Sequence, residues 1–149
     1  MACGRAARGT ELGKAGTAVQ NQTMATPIEE RAKVLERASR DNPEILDRDE
    51  LLSLVGPGPW TVRMHVCRML PRVAWTAKER AVIIPFLFAE ANGDNKFVQA
   101  WALDALASFA VTDESIRLRV AALLEAAIGD GPPSVRVRAR EGLKLLSSK

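Results

Sequence analysis

The chain of 149 residues is 47% hydrophobic and 26% charged, and it carries a formal net charge of +3 with one histidine and two cysteines. This composition is typical of one globular domain and excludes a disordered tail, a fibrous protein and a disulfide-stapled miniprotein. No apolar run approaches the ~20 residues of a membrane span. Cys3 and Cys67 are far apart and cannot form a standard zinc site with one histidine. We therefore expect a soluble, cytoplasmic protein without a metal or cofactor.

Charge is distributed unevenly along the chain. Residues 24–59 contain five basic and eight acidic side chains, whereas residues 60–149 contain thirteen basic and nine acidic ones. A net charge as small as +3 is not typical of a nucleic-acid-binding domain, which concentrates lysine and arginine on one face. Any argument from charge must therefore concern a local cluster.

The beginning of the chain differs from the rest. Residues 1–23 show neither helical nor alternating apolar periodicity, so we predict a disordered leader over residues 1–25 and a helical domain over 26–149. The leader lacks the apolar stretch of roughly 7–15 residues that a secretory signal contains. A transit peptide remains possible, and so does an upstream extension with Met24 as the natural start.

Helix signals follow in regular succession. Thr26-Pro27-Ile28-Glu29 is a capping box with proline at the first helical position, and the same device recurs at Thr76-Ala77-Lys78-Glu79. No segment sustains a two-residue alternation, so the sequence predicts an all-α fold. Pro85 should kink its helix because it removes a backbone hydrogen bond. The predicted helices are 27–40, 43–55, 59–70, 77–91, 95–109, 113–128 and 133–147.

The predicted helices repeat with a period of 36 to 37 residues. The apolar sets Ile84-Leu87-Phe88-Ala91 and Val120-Leu123-Leu124-Ala127 share one helical spacing at an offset of 36. A pair of short helices cannot bury its own apolar face, so similar pairs must stack on one another. The sequence therefore predicts about three and a half stacked helix pairs.

Three segments carry a resemblance to the HEAT-repeat family. They are Val62-Arg63-x-x-Val66, Val98-Gln99-x-x-Ala102 and Val135-Arg136-x-x-Ala139, which look like the V-R-x-x-A start of a first helix in that family. Gly93-Asp94 and Gly129-Asp130 resemble the family's loop acids. The resemblance covers roughly residues 27–147. It implies a short right-handed α-solenoid of antiparallel helix pairs, with an Asp–Arg ladder that Gln99 interrupts.

The same resemblance implies a function. HEAT arrays are mostly protein-binding scaffolds whose second helices line the concave face, so we expect a non-catalytic adaptor that binds a peptide or protein there. Ile83 and Phe86 lie one turn apart off the apolar stripe and would suit a partner helix or peptide. The alternative is that the kink at Pro85 turns both side chains into the core. The candidate contact residues are Asp47, Glu50, Ile83, Phe86, Glu90 and Arg119.

The last predicted helix offers a second candidate site. Arg136, Arg140 and Lys144 recur every four residues with Arg138 nearby, which gives a basic stripe. The stripe is either a solvated face or a site for nucleic acid or another polyanion. This helix has no following mate, so a homodimer contact through its uncovered side chains is also possible.

Catalytic chemistry is weakly represented. His65 and Cys67 fall at packing positions of a predicted helix, which favours structural roles for both. Trp101 and Asp104 resemble the aromatic and acidic pair of HEAT-like DNA glycosylases, but Trp101 lies beside an apolar stripe, which favours packing. The sequence contains no nucleophile and base at a recognisable spacing, so we expect no enzyme activity.

Overall fold

The computed structural model describes residues 25–148, so nearly all of the predicted leader lies outside the described residues. The all-α prediction is confirmed, because residues 25–148 form seven α-helices and two short 3₁₀ turns and contain no strand. The chain divides into two units between Arg31 and Ala32, a boundary that lies inside the first helix, and the second unit is Ala32–Lys149. None of the described helices combines the length and the apolar character needed to cross a membrane.

The bounds of the elements follow the predicted order. The α-helices are α1 Pro27–Ser39, α2 Arg48–Ser53, α3 Trp60–Met69, α4 Ala77–Ala91, α5 Lys96–Thr112, α6 Glu114–Asp130 and α7 Pro133–Ser147. The 3₁₀ turns are Pro43–Ile45 and Leu70–Arg72. α4 continues through Pro85.

Side-chain caps set the starts of α4, α5 and α6. Thr76 begins α4 with a complete capping box, in which its hydroxyl accepts from the Glu79 amide and the Glu79 carboxylate accepts from the Thr76 amide. Asn95 caps α5 and Asp113 caps α6. α5 runs to Thr112, three residues beyond its predicted end, and Asp113 follows it directly as the N-cap of α6.

The single helix predicted over residues 43–55 is wrong. Leu46 has an extended backbone after the first 3₁₀ turn, and α2 starts only at Arg48. The carboxylate of Asp47 accepts a hydrogen bond from the Glu50 amide, which is the N-cap interaction of a new helix. An aspartate in the middle of an apolar periodic segment therefore starts a helix here and does not continue one.

Helix α5 is the centre of the unit Ala32–Lys149. It packs against α3, α4, α6 and α7, and α7 also packs against α6. Gly142 permits the close approach of α7, since a Cβ there would lie 3.1 Å from side-chain atoms of both Ala107 and Leu124. Of the side chains with the predicted apolar periodicity, Leu87, Val120 and Leu124 are fully buried, and the fully buried core also includes Val66, Ile83, Leu103 and Leu106.

Candidate functional site

The predicted contact residues of the second helices separate in the structure. Ile83 is completely buried, so its prediction as a contact residue is wrong. The side chain lies on the face of α4 that contains the buried Leu87, one turn further along. Phe86 is half-buried and packs against the core. The alternative prediction, in which both side chains lie in the core, is therefore correct for Ile83 and partly correct for Phe86.

The predicted acidic residues of this surface have local structural roles. The carboxylate of Asp47 caps α2, and Glu90 forms an ion pair with Arg63. Glu50 is half-buried in α2. Arg119 is exposed, and its guanidinium carbon lies 4.0 Å from the centre of the Phe88 ring. Of the predicted set, Arg119 is the member that lies in a surface concavity.

Two concavities lie between α4 and α6, with volumes of about 390 and 420 Å³, and we call them together the groove between α4 and α6. Early residues of α4 face early residues of α6 and late residues face late ones, so the two helices run parallel. At 1.5 Å per residue, the α4 wall from Ala77 to Asn92 is about 20 Å long. The side chains that dominate its lining are Ala77, Ala81, Ile84, Pro85, Phe88, Ala122, Leu123 and Ala126.

The rim of this groove exposes large apolar side chains. Leu118 is 86% exposed and Val82 is 55% exposed, and each lies one turn from a groove-lining residue. Pro85 has no N–H to donate, so it makes no helical hydrogen bond to the carbonyl of Ala81 in the same wall. The groove therefore combines an apolar lining with exposed apolar side chains one turn away.

The groove is positively charged. Arg119 forms no ion pair with any described carboxylate, and Arg80 donates to the backbone carbonyl of Trp75. The one acid in the lining, Asp113, accepts hydrogen bonds from the amide and hydroxyl of Ser115 as the cap of α6. The cations of the groove are thus not neutralised by its own acid.

The predicted basic stripe of α7 is not one surface. Arg136 donates to the Gly131 carbonyl at 3.1 Å, whereas Arg138 lies over the Trp101 ring on α5. Arg140 and Lys144 are exposed, and Lys144 lies 3.8 Å from Glu141. The four cations therefore lie in three different environments. Arg136 and Arg138 differ because they are two residues apart and so lie roughly on opposite sides of the helix.

The ladder of aspartate and arginine implied by the resemblance is not formed within residues 25–148. Arg63 donates to the Gly58 carbonyl at 3.0 Å, and Arg136 makes the same contact with Gly131, also five residues upstream. Asp94 and Asp130 form no ion pair with a described residue. Arg63 and Arg136 therefore each stabilise the turn that precedes their own helix.

A cluster that the sequence does not predict surrounds Glu36 of α1. The side chain of Glu36 is only 1% exposed. Arg40 donates to its two carboxylate oxygens at 2.8 and 2.7 Å, and Arg72 donates at 2.9 Å. The Arg68 Nη1 and the His65 Nδ1 lie 3.6 and 3.8 Å from Oε1. We call these five residues the Glu36 cluster.

The arginines decide the ionisation of Glu36. Burial by itself would raise the pKa of this carboxyl, but hydrogen bonds from Arg40 and Arg72 and the charge of Arg68 lower the pKa to about 2. Arg72 also donates to the Glu36 carbonyl and the Ser39 hydroxyl, each at 2.7 Å. Glu36 is thus a buried carboxylate that joins α1 to the 3₁₀ turn after α3.

Trp101 of α5 continues this charged face. The guanidinium carbons of Arg68 and Arg138 lie 4.2 and 4.5 Å from the centre of its ring. Asp104 lies 3.9 Å from Arg138, and burial raises the pKa of its carboxyl. We call Arg68, Trp101 and Arg138 the Trp101 stack. The structure thus gives Trp101 cationic neighbours from α3 and α7 in addition to its contact with the core.

Two other candidates have environments that favour structure over chemistry. Burial raises the pKa of the Cys67 thiol, which opposes formation of a thiolate nucleophile. Burial disfavours the charged form of His65 as well, which for an imidazole lowers the pKa. Within residues 25–148, histidine, cysteine and carboxylate side chains do not converge in any group of three that could hold a metal ion.

Comparison of the whole chain with protein-family models, with curated proteins and with solved structures finds no match. The candidate sites are the groove between α4 and α6 and the face formed by the Glu36 cluster and the Trp101 stack.

Proposed function

We propose that the protein is a non-catalytic binding module that holds an amphipathic helix of another protein in the groove between α4 and α6. The observation that carries the proposal is Leu118, which is 86% exposed and lies one helical turn from Ser115 and Ala122 in the lining of the groove. A large apolar side chain exposed beside further apolar surface is typical of a binding site. The groove is long enough for about four turns of a partner helix.

The charge of the groove favours a partner of defined chemistry. Arg119 lies in the groove without an acidic partner among the described residues, so a helix with carboxylates beside its apolar stripe would complement it. A second copy of this chain would instead bring one cationic groove against another. A partner with an acidic flank is therefore favoured over a homodimer through this groove.

The helix pairs belong to the same proposal. We place α3 with α4 and α5 with α6 as successive HEAT-like pairs of a short right-handed solenoid, with α7 as the first helix of a further pair. Support comes from the parallel course of α4 and α6 and from their apolar sets at an offset of 36 residues. In that arrangement the groove lies between two second helices, the elements on which scaffold proteins of this class bind partners.

Selection from a library of random peptides about 16 residues long tests the proposal, since such a peptide spans the groove as a helix. We expect peptides with apolar residues at i, i+3 or i+4, and i+7 and with acids beside them. Leu118→Asp should weaken their binding by about tenfold or more. Val137→Asp is the matched control, because Val137 is 47% exposed on α7, a helix that contributes no residue to the lining of the groove.

Two outcomes would remove the proposal. One is a selection in which no enriched peptide depends on Leu118. The other is an equal loss of binding in Leu118→Asp and Val137→Asp, which would show general repulsion by added negative charge. Arg119→Glu should abolish the preference for acidic flanks while apolar anchors are retained, and an unchanged preference would exclude the proposed charge complementarity.

A further inference from the structure

The Trp101 stack holds two arginines whose hydrogen-bond donors are unused. Neither the Arg68 nor the Arg138 guanidinium donates a hydrogen bond to any residue that the structure describes. The Arg68 Nε is buried without a partner. The nearest carboxylate oxygens lie 3.6 Å from Arg68 and 3.9 Å from Arg138, beyond hydrogen-bond distance. The indole ring positions both guanidinium groups, and both retain N–H donors without a partner among the described residues.

Among the described residues of this region, the arginines outnumber the carboxylates. The carboxylate of Glu36 already accepts hydrogen bonds from Arg40 and Arg72, and its interaction with Arg68 is electrostatic without a hydrogen bond. Burial lowers the pKa of Arg68, Glu36 opposes this effect, and the charges of Arg40, Arg72 and Arg138 add to it. The ring of Trp101 offsets part of this cost through cation–π contact. An anion in contact with both guanidinium groups would offset more.

We propose that Arg68 and Arg138 form a binding site for a phosphate monoester beside Trp101. Two planar forks present several N–H groups, and a phosphate monoester has three terminal oxygens and close to two negative charges at neutral pH. A carboxylate has two oxygens and one charge, so it would satisfy the pair less completely. The stacked guanidinium groups need little reordering to bind, because the ring already fixes their planes.

A single phosphate group fits this surface better than a nucleic-acid strand does. Asp104 lies beside Arg138, and Glu141 is close enough to raise the pKa of Asp104. A strand of phosphodiesters crossing the site would bring further phosphates toward these two carboxylates. The site also lies on α3, α5 and α7, so it is independent of the groove between α4 and α6.

The full chain, titrated with inorganic phosphate at constant ionic strength, tests the site. The resonance of the Trp101 indole N–H, assigned with Trp101→Phe, should shift and saturate. Arg68→Gln and Arg138→Gln should each weaken binding by roughly tenfold or more. Arg138→Lys should give an intermediate loss because it keeps the charge and removes the fork. The matched control is Arg140→Gln, which removes an exposed cation from the same helix and should change affinity less than twofold.

The source of the phosphate is resolved by two further probes. Glucose 6-phosphate represents a small metabolite, and a blocked phosphoserine represents a modified protein. Saturable binding of either one with the same dependence on Arg68 and Arg138 supports the site. Absence of a saturable shift with all three phosphates overturns the proposal, as does an equal loss in Arg140→Gln. Tight, salt-dependent binding of an oligothymidylate without monoester binding also overturns it, in favour of nucleic acid. Circular dichroism of each variant excludes loss of fold as the cause.

Discussion

The Glu36 cluster and the α4–α6 groove use arginine in opposite ways. In the cluster, Arg40 and Arg72 surround a carboxylate that is 1% exposed and satisfy it with direct hydrogen bonds. In the groove, Arg119 lies over an aromatic ring with no acidic partner among the described residues. An arginine that completes a buried carboxylate indicates a structural role, whereas an arginine without an anion in an apolar groove indicates recognition.

The two regions also differ in which kind of side chain is buried and which is exposed. Around Glu36, charged groups are inside and their removal would leave uncompensated ions. At the groove, Leu118 and Val82 are outside and contribute little to folding. We therefore expect substitutions in the Glu36 cluster to change stability and substitutions at the groove rim to change binding. The following predictions test this division, starting with the largest expected effect.

The first prediction separates the core of α4 from its rim. Ile83→Asp should destabilise the protein by about 5 kcal/mol or more, since it buries an unpaired carboxylate in place of a fully buried side chain. The adjacent Val82→Asp changes a residue that is 55% exposed and should stay within about 0.5 kcal/mol of the parent. Urea denaturation followed by circular dichroism measures both. A large loss in Val82→Asp would mean that the groove rim belongs to the core.

The second prediction concerns the charged interior. Glu36→Ala should lower the free energy of unfolding by about 3 kcal/mol, the low end for breaking a buried ion pair, because the arginines around it are partly exposed. Glu125→Ala, which removes an exposed acid from α6, is the matched control and should be nearly neutral. Equal midpoints in urea for the two variants would contradict a structural role for Glu36.

Periodicity and caps predict most of the fold. The apolar spacing at 3.6 residues identifies the helices, and the capping box at Thr76 marks the start of α4, because these signals act between residues a few positions apart. The break at Asp47 escapes such a prediction, since an aspartate is both tolerated inside a helix and favoured as a cap. Its role depends on the conformation of Leu46.

The sites are less predictable because they depend on contacts between distant helices. Glu36 and Arg40 lie four residues apart, a spacing that predicts an ordinary surface pair. Nothing local shows that Arg72, from another element, reaches the same carboxylate. Ile83 illustrates the opposite error, since a position beside the apolar stripe is assigned to the surface although α4 is turned to bury it.

The last prediction uses pH to measure the Glu36 cluster without removing a side chain. The folded-state pKa of Glu36 is lowered from 4.5 to about 2, so the folded protein binds this proton more weakly than the unfolded chain does. The stabilisation is therefore fully present above pH 4.5 and is lost as the pH falls toward 2. We expect a loss of about 2 kcal/mol over this range, less than in Glu36→Ala because a protonated Glu36 still fills its site.

Glu36→Gln isolates this contribution from the other carboxylates, which titrate in both proteins. The difference in the free energy of unfolding between the parent and Glu36→Gln should be constant above about pH 5 and should narrow steadily toward pH 2. The difference in the free energy of unfolding between the parent and Leu118→Asp should not narrow in this way over the same pH range. An exposed carboxylate at position 118 has a similar pKa in the folded and unfolded chains. A difference that is independent of pH for Glu36→Gln would mean that the arginines do not hold the carboxylate ionised. The contrast between the Glu36 cluster and the α4–α6 groove would then rest on packing alone.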